Sequence, residues 1–68
     1  PGHAEHALAE TQAAMPRLHK KSILVYDDTP WSGGEFAGKG ALAVPWLLRQ
    51  DWKILYAGYQ VILSRNTP

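Results

Sequence analysis

The chain has 68 residues, with Lys+Arg 7 against Asp+Glu 6 for a formal net charge of +1, and it contains no cysteine. That length allows one small domain, and without cysteine there is no disulfide staple, thiolate zinc site or thiol mechanism. The near-neutral charge excludes a strongly cationic nucleic-acid binder, and no apolar run reaches the roughly 20 residues of a membrane span. No basic segment followed by an apolar core marks a signal peptide, so a cytoplasmic protein is expected. A domain this small buries only about 60% of the surface its unfolded chain exposes, so a partner or a second copy is expected to complete it.

Residues 1–16 read as a short helix or a disordered leader, and residues 17–66 as a single small α+β domain. Ala4, Ala7, Leu8, Thr11, Ala14 and Met15 fall near one helical face, and Pro16 ends the pattern. Arg17 to Lys21 is polar. Ser22-Ile23-Leu24-Val25-Tyr26 predicts a first strand, and its continuous apolar run points to the covered centre of a sheet. Asp27-Asp28-Thr29-Pro30 stops it with turn chemistry. The stretch Trp31 to Gly40 holds Gly33, Gly34, Gly38 and Gly40 and is expected to be a mobile loop with at least one tight turn.

Ala41 to Gln50 predicts a second helix with a wide apolar band. Pro45 fits only the first turn, so the helix either begins near Ala43 or kinks there. Trp52 to Arg65 predicts a β-hairpin broken at Ala57-Gly58, with Trp52, Ile54 and Tyr56 alternating along one arm and Tyr59, Val61 and Leu63 along the other. Asn66-Thr67-Pro68 is a polar tail. The expected fold is a three-stranded sheet of β-α-β-β order, backed by one helix. A right-handed crossover joins the first strand to Trp52–Tyr56 if the two lie parallel. One sheet face is then left bare.

Ser22–Tyr26, Leu47-Leu48, Asp51-Trp52-Lys53-Ile54 and Tyr59–Arg65 together resemble a small family of bacterial domains of unknown function. The family pattern has an acidic-Gly-Trp-Glu-Leu segment after a helix of the Leu-Leu type. Here no glycine precedes Trp52, Lys53 stands where an acid is usual, and Pro45 interrupts the helix. The resemblance implies a β-α-β-β fold and no particular chemistry.

Four groups of residues are candidates for function. Gly33-Gly34-Glu35-Phe36-Ala37-Gly38-Lys39 has the spacing of a phosphate loop, and Gly38, Lys39 and Gly40 would be its anion-binding end. Gly40 stands where the magnesium-binding Ser or Thr belongs, so a connector is the plainer reading. Asp27, Asp28 and Glu35 could form a carboxylate cluster, but adjacent aspartates after a strand more often cap a turn. His3, His6 and Glu10 have helical spacing that could hold zinc or nickel adventitiously. Arg17, Lys20 and Lys21, with His19 between them, form a basic cluster that Lys53 and Arg65 could extend into a stripe for nucleic acid.

Trp31 in its polar loop either folds over the core edge or anchors a partner. Leu55 and Ile62 belong to the bare sheet face in one register; Ile54, Val61 and Leu63 do so in the other. The leading reading is a non-enzymatic module that forms a homo-oligomer or docks on a protein partner through Trp31, Leu55 and Ile62. No cofactor, metal or membrane is expected. Nucleic-acid binding at Arg17, Lys20 and Lys21 is the alternative, and anion or small-ligand binding at Gly38–Gly40 the second.

Overall fold

The computed structural model describes residues 2–65. The polar tail predicted at residues 66–68 lies outside them. Helix α1, His3–Ala14, passes directly into a single 3-10 turn at Met15–Arg17, with Pro16 in that turn. Of its predicted face, Thr11 is buried, and Ala7, Leu8 and Met15 pack against the core. The helical one of the two readings therefore holds.

The strands are β1 (Ile23–Tyr26), β2 (Trp31–Ser32), β3 (Glu35–Phe36), β4 (Trp52–Ala57) and β5 (Val61–Arg65), with helix α2 (Ala43–Arg49) before β4. The fold is mixed α+β. One antiparallel sheet has the order β1-β5-β4, and β2 and β3 form a separate two-stranded ribbon. Both β1 and β4 pair antiparallel with β5, so they run parallel to each other with β5 between them.

One expectation is corrected here and two are made specific. First, β1 is an edge strand and β5 is central. Ile23 and Val25 are 52% and 54% exposed, so the apolar run of β1 does not mean cover on both faces. The single helix layer can cover only one side of the sheet, and α1 and α2 both lie there.

Second, the glycine-rich stretch contains regular structure, including the tight turn expected of it. Gly33 and Gly34, at φ +62° and +84°, make the two-residue turn that joins β2 to β3. Two positive φ values in succession are what a tight hairpin turn of this hand requires. A 3-10 turn at Gly38–Gly40 follows. Third, of the two readings of Pro45 the start near Ala43 holds, which places Pro45 in the first turn of α2, where its missing N–H breaks no helical bond.

The core is Tyr26, Ala43, Val44, Leu47, Trp52, Val61 and Leu63. It lies between α2 and the inner sheet face, with α1 closing one side. The inner face is set by pairing: Ile54 stands opposite Leu63, Trp52 opposite Arg65, and Leu24 opposite Leu63. The Arg65 guanidinium sits 5.3 Å from the centre of the Trp52 ring, a cation–π contact that caps this end of the core. Tyr59, expected in the second arm, belongs instead to the turn at 58–60 that precedes β5.

Candidate protein-binding face

The outer face of the sheet follows from the same registers. In an antiparallel sheet, directly paired residues point to one side. Ile23 pairs with Ser64, and Ser64 with Lys53, which makes one row across the three strands. Val25 pairs with Ile62, and Ile62 with Tyr56, which makes the next. Alternation carries the face on through Asp27 and Gln60, whose side chains are joined by a 3.3 Å hydrogen bond from Nε2 of Gln60 to Oδ1 of Asp27.

The pairing shifts by one residue between Ile54 and Tyr56, leaving Leu55 as a bulge. A bulge adds one residue to one strand, so simple alternation fails across it. Trp52 and Ile54 point inward. Both Leu55 and Tyr56 then remain outside, at 54% and 57% exposure. This is why Tyr56 leaves the inward set that its spacing from Trp52 predicts. The outer face thus gathers Ile23, Val25, Leu55, Tyr56 and Ile62, with no helix over it among the described residues.

Leu55 and Ile62 are therefore brought together as the first of the two predicted registers requires. Trp31 is not with them. It lies in β2, edge-on to Phe36 with ring centroids 4.7 Å apart, and is 58% exposed. With Phe36, Leu42, Pro45 and Leu48 it lines a groove of about 450 Å³ along the exposed side of α2. That helix packs on the sheet's inner face, so the groove and the outer face belong to opposite sides of the molecule.

The phosphate-loop reading meets a specific obstacle. The backbone N–H of Lys39 donates to the carbonyl of Asp28 at 3.2 Å, that of Gly40 to Oγ1 of Thr29 at 3.0 Å, and that of Ala41 to the carbonyl of Gly38 at 3.2 Å. A phosphate cradle needs such donors free. Here they hold the loop to the buried Thr29 and to the end of β1.

The aspartate side chains bond to side chains of the hairpin turn: Asp27 accepts from Gln60 and Asp28 from Tyr59. The Tyr59 hydroxyl donates to Oδ1 of Asp28, and Thr29 Oγ1 donates to the carbonyl of Asp27 at 2.8 Å. The carboxylate beside Tyr59 raises the pKa of its phenol, first through the hydrogen bond and then through its charge. Glu35 lies apart from them in the β2–β3 ribbon.

His6 and Glu10 approach to 3.6 Å on the exposed side of α1. Among the described residues, no three His, Asp or Glu side chains converge on a metal position. Arg17, Lys20 and Lys21 are exposed beside the turn before β1. Lys53 shares the outer row with Ile23, but Arg65 turns inward onto Trp52, so the predicted basic stripe divides between the two faces. Among the described residues, no helix is long and apolar enough to cross a membrane.

No family model, curated protein or solved structure matches this chain. The assignment of a site therefore rests on the chemistry of its own surfaces. Sequence reasoning missed Ile23, Val25 and Tyr56 as members of the outer face. The i, i+2 spacing of Ile23 and Val25 carried that signal, but it became legible only with β1 at an edge. Tyr56 had no such signal, because its position depends on the bulge.

Proposed function

We propose that this chain is a non-enzymatic interaction module that docks on another polypeptide through the outer face of its three-stranded sheet. One observation carries the reading: Ile23, Val25, Leu55 and Tyr56, all more than half exposed, surround Ile62 on a single uncovered face. Scattered exposed apolar residues are normal, whereas a contiguous patch on a sheet face marks an interaction site. Burying each such side chain stabilises a complex by about 1.5–3 kcal/mol before the costs of association.

The free edge of β4 disfavours strand addition. The β4 edge is blunted by the Leu55 bulge and by Lys53, both devices that discourage edge pairing. A nucleic-acid reading draws less support, because Arg65 is committed to Trp52 and the remaining cations border an apolar surface.

A photo-activated benzophenone side chain at position 25, compared with one at the exposed position 39, tests the reading. Irradiation is expected to give discrete polypeptide adducts from position 25 and none from position 39. Equal labelling from both positions, or none from either, overturns it.

A further inference from the structure

We infer that the polypeptide covering this face is a second copy of the same chain, packed face to face and head to tail. The inference rests on the docking reading above and adds the identity and orientation of the partner. It is carried by how charge is distributed along the strands.

The registers place Ile23, Ser64 and Lys53 at one end of the sheet, and Tyr26, Val61 and Ala57 toward the other. Lys20 and Lys21 lie one residue before β1, with Ser22 between, so they stand at the Lys53 end. Asp27 and Asp28 immediately follow β1 and stand at the opposite end, both exposed. Apart from Lys53 and Asp27 the face is uncharged: Ile23, Val25, Leu55, Tyr56, Ile62 and Ser64. The separation is not complete. Asp51 precedes β4 at the basic end, and Lys39 lies near Asp28, though in a cleft with residues of α1 instead of on the outer face.

Two copies of such a face can meet about a two-fold axis in two simple ways. An axis along the strands stacks basic end on basic end and acidic on acidic. An axis across the strands sets Lys20 and Lys21 of each copy against Asp27 of the other, twice, while the neutral middles pack together. Opposite charges attract in the second arrangement and like charges repel in the first, so the second is selected. A two-fold interface uses the same patch on both copies, which a neutral, self-complementary centre permits. The exposed charge pairs orient the dimer, and the apolar middle supplies most of its affinity. Packed sheets stand about 10 Å apart, so Val25, Leu55 and Ile62 of both copies can interdigitate.

Sedimentation equilibrium of the purified chain tests this. A monomer–dimer equilibrium in the micromolar range is expected, weakening roughly 3–10-fold as sodium chloride is raised to about 0.5 M. The K20E/K21E variant is expected to weaken association by a similar factor, and adding Asp27→Lys to it to restore most of the loss. Val25→Lys is expected to abolish association while leaving the far-ultraviolet circular dichroism of the fold unchanged. A chain that stays monomeric at about 1 mM overturns the inference. So does a dimer that tightens with salt, or one indifferent to Val25→Lys. The photo-adducts at position 25 separate the two levels. A monomeric chain that still labels other polypeptides sinks only self-association, and one that labels nothing sinks the docking reading as well.

Discussion

The hydroxyl of Tyr26 in β1 donates to Oγ1 of Thr11 in α1, joining the first helix to the sheet from inside the core. Thr11 in turn donates to the carbonyl of Ala7 at 2.8 Å, so the direction of the relay follows from the threonine's single proton. Burial is the main cause that raises the pKa of Tyr26, and the negative charge of Glu10 adds to it. Removing either partner should loosen α1, but not equally. Tyr26→Phe leaves Thr11 bonded to Ala7 and should cost about 1 kcal/mol; Thr11→Val strands a buried phenol and should cost about 1–3 kcal/mol. Urea unfolding of the two variants, compared by midpoint at constant slope, checks the order.

The alkaline limb of stability is expected to depend on two phenols. Both Tyr26 and Tyr59 are harder to ionise in the folded chain than at the ordinary value of 10.0, Tyr26 chiefly through burial and Tyr59 chiefly through Asp28. The folded state therefore holds protons that the unfolded state releases. The stabilisation is complete below the ordinary value and is lost as pH rises from there through the raised folded values. Urea midpoints should fall above pH 10.0 in the parent chain, and the fall should be shallower in a Tyr26→Phe/Tyr59→Phe variant.

Which residues face inward is testable by paired truncations. Leu63 is fully buried and Leu55 is 54% exposed, although both are apolar residues of the same hairpin. Leu63→Ala should destabilise the chain by about 2–5 kcal/mol, because it opens a cavity that cannot fully collapse. Leu55→Ala should change the unfolding free energy of dilute chain by no more than about 0.5 kcal/mol. A reversed order in chemical denaturation would mean that the bulge is misplaced.

Gly38 should resist substitution more than Gly33. Both have positive φ, +69° and +62°, and so both strain any other residue. A Cβ on Gly33 would meet open space, whereas one on Gly38 would collide with the backbone carbonyl of Asp28. Gly33→Ala is expected to cost about 1 kcal/mol, and Gly38→Ala at least about 2 kcal/mol with loss of amide protection at Lys39 and Gly40. Thermal melts and hydrogen exchange read the two effects.

Asp51 occupies the left-handed position after α2, at φ +67°, where glycine commonly ends a helix. Its backbone carries strain that glycine would not. Asp51→Gly should therefore raise stability by up to about 1 kcal/mol, while Asp51→Pro, which cannot adopt this φ, should lower it. A higher melting temperature for the glycine variant, with unchanged circular dichroism, is the expected result.

Much of the fold was legible in the residues taken in order. Alternation from Trp52 to Ile54 and from Val61 to Leu63 marked the hairpin, because side chains on a strand repeat with a period of two. The alanine-rich face of residues 4–15 and the apolar band around Leu47 marked the helices, because the helical period brings such residues to one side. Pro45 set the start of α2 through its missing N–H. These are local properties, and local sequence determines them.

Tertiary structure alone decided the rest. An apolar run such as Ile23–Tyr26 has the same appearance at the centre of a sheet or at its edge; only the pairing partners of β5 settle which. The bulge at Leu55 moved Tyr56 outward by the insertion of a single residue into the ladder, which no periodicity announces. The donors of residues 39–41 were drawn to Asp28, Thr29 and Gly38 by contacts the chain makes only when folded. The outer face, with its basic and acidic ends, exists only once three separate segments stand side by side. Its members are scattered from Lys20 to Ser64, and the register between strands is a long-range choice.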